Sequence, residues 1–268
     1  ALAAIVVTVF RSLLPAAQRE EPDPHAGQVY VNDGANMVWL TPHDNFDVSP
    51  LHRWQFVTLE ERPWYAGSEF AVRRGIDLSV FQKNVDWAAA AESGVEFAVI
   101  RLGFRGYGKG VLQPDDLFDS HLEGAHGAGI DAGVYFFSQA LSMDEADQEI
   151  EYMLNILGDY RLDMPIILDW EIPASDARTA NMDARTLTDI QLYFCEKMKG
   201  LGYQPMVYFN WHQSENLYYL SELEDFPFWL ALYQDRMRYP WKVEMWQYTC
   251  TGRVPGINGD VDINVYMP

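Results

Sequence analysis

The chain has 268 residues, 49% of them hydrophobic and 14% aromatic, enough for one large core or two small ones. Nineteen Lys and Arg face 39 Asp and Glu, a formal charge of −20 that argues against nucleic acid as a partner and against docking on anionic lipid by charge alone. Two cysteines, Cys195 and Cys250, exclude a disulfide scaffold and fit no metal-ligand spacing; they either form one bridge or stay as small hydrophobes.

The first residue is Ala, not Met, and Ala1 to Phe10 is almost wholly apolar, followed by Arg11 and Leu13-Leu14. The run is shorter than the roughly 18 residues a spanning helix needs, and it reads as part of a signal peptide or membrane anchor. Gln18 to Gly27 is polar, acidic and carries two Pro, so residues 1–27 read as a targeting segment plus linker. Residues 28–70 hold short strand candidates (Val29–Val31, Met37–Leu40, Trp54–Leu59) and an Asn32-Asp33-Gly34 turn. That is too little for an independent core. An extension packing on the main domain, residues 71–268, is expected.

From Ala71 onward, short apolar runs alternate with helical patterns. Strands are predicted at Arg74–Ser79, Phe97–Leu102, Gly133–Phe137, Met164–Ile172, Pro205–Asn210, Phe228–Tyr233, Val243–Tyr248 and Val261–Tyr266. Helices are predicted at Val85–Glu92 with Asn84 as N-cap, and at Asp115–His126, Met143–Leu157 and Leu187–Leu201. The Gly103–Gly110 loop lacks the spacing of a phosphate cradle. Alternation of strand and helix predicts a parallel sheet with right-handed crossovers, and eight strands predict closure. The late connections are short, so the expected fold is α/β: an irregular TIM-like β/α barrel of eight strands with its last helices missing or irregular.

Met164-Pro165-Ile166-Ile167-Leu168-Asp169-Trp170-Glu171-Ile172 is the stretch that points to chemistry. Its apolar first half fits a strand buried on both faces, and Pro165 fits only at the entry. Side chains alternate, so Asp169 and Glu171 share a face that Trp170 does not. Paired carboxylates at the end of a buried strand raise each other's pKa, which does nothing for stability. Glycoside hydrolysis needs such a pair, one carboxyl to donate a proton and one carboxylate to stabilise or attack.

In a β/α barrel the active site lies at the carboxyl ends of the strands. The pattern places Asp77, Asp169, Glu171 and Asp262 there, with Arg101, Tyr135, Phe137, Tyr208, Asn210, Trp229, Tyr233, Trp246 and Gln247 as candidate substrate contacts. Acids among aromatics and amides suit a sugar, whose faces stack and whose hydroxyls hydrogen-bond. The six His are scattered, which supports neither a zinc site nor a Ser-His-Asp triad. A carboxylate-bound hard cation stays open, but no metal or cofactor is expected.

Six stretches in order resemble the glycoside hydrolase family 25 lysozymes, the Chalaropsis-type N-acetylmuramidases. They are Gly75-Ile76-Asp77-Leu78-Ser79 with Gln82 and Val85-Asp86-Trp87; Phe97-Ala98-Val99-Ile100-Arg101; Gly133-Val134-Tyr135-Phe136; Leu168-Asp169-Trp170-Glu171; Trp246-Gln247-Tyr248; and Gly259-Asp260-Val261-Asp262-Ile263-Asn264. Phe136 departs from the pattern, since many members carry His after that Tyr. The resemblance implies an irregular β/α barrel and hydrolysis of the β-1,4 bond between N-acetylmuramic acid and N-acetylglucosamine. It also implies that Glu171 is the general acid, Asp169 its partner, and Asp77 and Asp262 flanking acids. The partner would be a peptidoglycan glycan strand, the protein a monomer, and its location extracellular or at the cell surface. Two other readings are a chitinase-like hydrolase of N-acetylated glycans, whose D-x-x-D-x-D-x-E run is absent here, and a non-catalytic peptidoglycan-binding protein, which would have no use for four mutually repelling acids.

Overall fold

The computed structural model describes residues 71–268 except 235, 236, 238 and 240, together with 24, 25, 28–32, 37–40, 56–59 and 62–65. The expected targeting segment therefore lies outside the described residues, apart from Pro24 and His25. Among the described residues no helix is long and apolar enough to cross a membrane. The chain divides into two compact units, residues Ala1–Pro42 and His43–Pro268. In the first, β1 (Val29–Asn32) and β2 (Met37–Leu40) form an antiparallel hairpin, and His25 stacks on Trp39 with ring centroids 3.9 Å apart.

The second unit opens with a hairpin of β3 (Phe56–Leu59) and β4 (Arg62–Tyr65), then builds a closed barrel. Its strands are β5 (Arg73–Leu78), β6 (Phe97–Arg105), β8 (Asp131–Ser138), β9 (Ile166–Trp170), β10 (Pro205–Asn210), β11 (Phe228–Ala231), β12 (Met245–Gly252) and β13 (Val261–Tyr266). β5 pairs with β6 on one side and β13 on the other, which closes the sheet. The helices are α1 (Trp87–Glu92), α2 (Phe118–Gly127), α3 (Met143–Leu157), α4 (Ala184–Gly200) and the short α5 (Trp211–Asn216). Among the described residues no helix separates β11, β12 and β13, as the short late connections predict. The irregular barrel expected from the sequence is therefore the fold.

Three details differ from the sequence expectation. First, β13 runs antiparallel to both neighbours, so the sheet is not wholly parallel. The connection from β12 to β13 holds no helix to carry the chain back across the barrel, so the chain turns and returns as a hairpin. Second, the Gly103–Gly110 loop is partly strand: β6 runs on to Arg105 and pairs with β7 (Leu112–Pro114). Register shifts between Arg101 and Gly103, and a Cβ at Gly103 would stand 2.6 Å from the Gln113 carbonyl oxygen, so this bulge requires glycine. Third, the N-cap of α1 is Asp86, whose carboxylate accepts from the Ala89 N–H, and not Asn84. Both cysteines are free; Cys195 is buried and Cys250 exposed.

Candidate active site

The barrel interior fixes which side chains reach the mouth. Phe97, Val99, Ile167, Met206, Tyr208, Trp229 and Met245 pack together inside it. Alternation along each strand then sends Arg101 of β6, Asp169 of β9 and Gln247 of β12 to the same interior, two residues further on. Asp77 joins them, because β5 is parallel to β6 and Asp77 stands beside Val99. Asp262 arrives from the other direction. It sits at the amino end of antiparallel β13, directly opposite Asp77, so strand reversal places at the mouth a residue expected from a strand's carboxyl end.

The four acids line one cavity of about 230 Å³, with Arg101, Tyr135, Phe137, Tyr208, Trp229, Tyr233 and Gln247. Asn210 and Trp246 do not line it. Asn210 caps α5, its side-chain oxygen accepting from the Gln213 N–H at 3.0 Å. Trp246 lies between inward-facing Met245 and Gln247 and so points away from the cavity; it is fully buried and donates its indole N–H to the Leu232 carbonyl. Leu78, Ser79, Phe81 and Gln82 also line the cavity and had no place among the expected contacts. Ser79 and Gln82 form a capping box around the turn Val80–Gln82, a spacing the sequence does display. Phe81, carried outward by that turn, is three-quarters exposed at the rim.

Each acid has a distinct environment. Asp77 is buried, and its Oδ2 accepts from Gln247 Nε2 at 2.8 Å and Asn264 Nδ2 at 2.7 Å. The amides are themselves oriented: Tyr233 donates its hydroxyl to Gln247 Oε1, and Trp229 its indole N–H to Asn264 Oδ1. Burial, and then Asp262, push the Asp77 pKa well above the ordinary carboxylate range, against the pull of the two amides. Asp169 is raised likewise by burial and then by Glu171 and Asp77, with Arg101 opposing. Its buried Oδ1 has no hydrogen-bond partner. Glu171, raised by burial, accepts the Tyr208 hydroxyl on Oε1 at 2.9 Å. Asp262 is raised by burial to about 6. Arg101 is the one cation among the lining residues. Asp115 holds its Nε at 2.8 Å, and its guanidinium lies over the rings of Phe81 and Phe104. Among the described residues no group of His, Cys, Asp and Glu is arranged to hold a metal ion.

A sequence profile described as glycosyl hydrolases family 25 matches residues 76–257. The chain belongs to this family. The family is one of glycoside hydrolases, and two of the chain's curated relatives are lysozymes. Lysozyme M1 of Streptomyces globisporus is 26% identical over 211 residues, covering 72% of this chain and 67% of that protein. The autolytic lysozyme of Clostridium acetobutylicum is 27% identical over 195 residues, covering 72% of this chain and 55% of that protein. Among solved structures, the modular autolysin LytC from Streptococcus pneumoniae shares the fold with a TM-score of 0.65 at 23% identity, covering 79% of this chain and 52% of that one. The chain thus spans only about half to two thirds of the length of these relatives.

The acid cluster has a stability consequence. Asp262 has a folded-state pKa of about 6, above the ordinary value of 3.8, so the folded form binds the extra proton in that window. Stability therefore falls as pH rises from about 4 to 6, and the penalty is fully present above. Asp262→Asn removes it, and the family 25 domain should melt higher than wild type at pH 8 but not at pH 3.5. Thermal melts across that range check this. A gap that does not change with pH would show that the charge is not what destabilises the fold.

Proposed function

We propose that this chain is an N-acetylmuramidase that hydrolyses the β-1,4 bond between N-acetylmuramic acid and N-acetylglucosamine in bacterial peptidoglycan. The supporting observation is the pairing of Glu171, half-buried and touched by the Tyr208 hydroxyl, with Asp169, whose buried Oδ1 is uncommitted, in one aromatic-lined cleft. Glu171 holds the proton because its carboxyl is desolvated, and delivers it to the glycosidic oxygen as the bond to the anomeric carbon breaks. Burial and the neighbouring Glu171 raise Asp169 as well, so the two carboxyls resist ionising together and share the proton that Glu171 delivers. Asp169 meets the positive charge that develops on the sugar, either by attacking the anomeric carbon or by accepting the N–H of the 2-acetamido group while its carbonyl attacks. Both roles require an oxygen with no prior partner. Water then completes hydrolysis, with Glu171 taking back a proton.

Charge on Asp77 and Asp262 disfavours ionisation of Asp169 and so helps keep one proton on the pair, and the Gln247 and Asn264 amides keep Asp77 in place. Tyr135, Phe137, Trp229 and Tyr233 offer ring faces to the sugars. Arg101 would receive an acidic or carbonyl substituent of the glycan. A substrate of this class lies outside the cytoplasmic membrane, so secretion or surface anchoring follows from the reading. The remaining residues of the first unit have no assigned part in it.

Purified peptidoglycan, incubated with the protein, should gain reducing ends. Borohydride reduction and acid hydrolysis should then convert muramic acid, not glucosamine, to its alditol. Glucosaminitol as the new product would overturn the assigned bond, and no new ends would overturn the activity. Charge gives a second expectation. With a formal −20 the protein approaches an anionic wall against repulsion that salt screens. Activity on whole walls should rise from low to moderate ionic strength, while a short neutral glycan shows little change. A steep fall with salt would mean that attraction, not repulsion, governs the encounter.

A further inference from the structure

The strand carrying the two acids is gripped from outside the barrel by side-chain amides. β9 ends at Trp170, so Glu171 stands beyond the last residue of the ladder. Its carbonyl oxygen accepts from Gln139 Nε2 at 2.7 Å, and the Thr179 hydroxyl lies 3.1 Å from the same oxygen. One residue earlier, the Trp170 carbonyl accepts from Gln213 Nε2 at 2.6 Å; two residues before that, the Leu168 carbonyl accepts from Gln191 Nε2 at 2.9 Å. The three glutamines come from different places: just past β8, helix α4 and helix α5. All are buried, as is Thr179.

The clamps are themselves braced. Gln139 also donates to the Ser138 carbonyl, and its Oε1 lies 3.0 Å from the Thr179 hydroxyl. Gln213 Oε1 accepts the Asn210 N–H, so the capping box of α5 aims the amide that holds Trp170. A buried carbonyl at a strand end must find a donor. Backbone or an ordered hydroxyl would satisfy that need, so three long amides from three separate elements exceed it. They converge on the one segment where an error of an ångström would matter to proton transfer.

We infer that Gln139, Thr179 and Gln213 are positioning residues that set where Glu171 presents its carboxyl, acting through the main-chain carbonyls of residues 170 and 171. The inference rests on Glu171 being the acid. It predicts that loss of a clamp acts on the acid more than on substrate binding. Freed at its carbonyl, the segment relaxes toward solvent, and the carboxyl loses part of the desolvation that raises its pKa.

The test uses Thr179→Val, which keeps shape and removes the hydroxyl, Thr179→Ser, which keeps the hydroxyl, and Gln139→Met as a second route to the same loss. Labelled glutamate carboxyls are titrated by carbon-13 NMR, with the Glu171 signal assigned by its disappearance in Glu171→Gln. The Glu171 midpoint should fall toward the ordinary carboxylate range in Thr179→Val and Gln139→Met and stay near wild type in Thr179→Ser. On peptidoglycan, kcat should drop about tenfold to a hundredfold, KM should hold within about a factor of two, and the upper limb of the pH profile should move down. An unchanged midpoint and kcat with a lower melting temperature alone would overturn the inference, as would Thr179→Ser failing as badly as Thr179→Val. A wild-type chain that leaves walls intact would defeat the proposed activity instead, while the NMR midpoints would still decide whether the clamps set the position of Glu171.

Discussion

Glu171→Gln is expected to lower turnover on peptidoglycan by roughly 10²-fold or more, with a melting temperature no lower than that of wild type. The amide keeps the shape of the side chain, and its oxygen still accepts the Tyr208 hydroxyl. What it lacks is a proton to give. Stability should not suffer, because the carboxyl it replaces is raised in pKa by burial and so opposes folding as pH rises through that window. The loss should appear in kcat with KM nearly unchanged, since the proton is transferred only in the transition state. Initial rates of reducing-end formation, measured with melts on the same preparations, check both halves. Near-full activity would remove Glu171 from the role of acid.

The second large effect concerns stability, away from the cleft. Arg105, at the end of β6, is almost fully buried and binds Glu149 of α3 through Nε at 2.6 Å. Its other nitrogens donate to the Gly110 and Glu145 carbonyls. Glu149 is fully buried and also accepts the Ser138 hydroxyl on Oε2. Burial raises its pKa to about 7 even with these partners. Arg105→Met removes the counter-charge and leaves the carboxyl in the core, a loss of about 3–5 kcal/mol at pH 8 for a broken buried pair. Without the arginine the folded-state pKa moves higher still, so the folded protein takes up a proton as pH falls and recovers part of the loss. Denaturant unfolding at pH 8 and pH 5.5 should therefore show a smaller deficit at the lower pH. The double variant Arg105→Met, Glu149→Gln should be more stable than the single one at pH 8. Equal deficits at both values would mean that the packing of Arg105 matters and its charge does not.

Much of this was legible because the signals were redundant. Each barrel strand is a short apolar run, and the boundaries of β10 and β13 match those read from the sequence residue for residue. The acids stood out because nothing in packing requires carboxyls at the ends of such runs. The direction of β13 was not legible: apolar alternation is the same read from either end, and only the lack of a crossover helix hints at a hairpin. β7 was missed because a three-residue strand exists by virtue of its pairing with β6 and not by any pattern of its own. Asn210 was placed among the sugar contacts by its strand-end position, while its neighbour three residues on, Gln213, marks it as a cap. Trp246 and Gln247 are adjacent and cannot share a face, the rule that separated Trp170 from Asp169. The clamping glutamines left the weakest trace. Gln191 sits in a helix, where a polar residue reads as part of a solvated face, yet the fold turns it inward onto Leu168.

The antiparallel course of β13 also governs when an active enzyme first exists during synthesis. Asn264 meets Asp77 at a sequence separation of 187 residues, and no earlier strand supplies Asp262 or that amide. Until β13 slides between β5 and β12, the barrel is an open sheet, and its cleft lacks one wall and one of its acids. Closure of so long a loop comes late and slowly in folding. A chain that has not yet placed β13 thus has no complete cleft, whatever its earlier strands have formed.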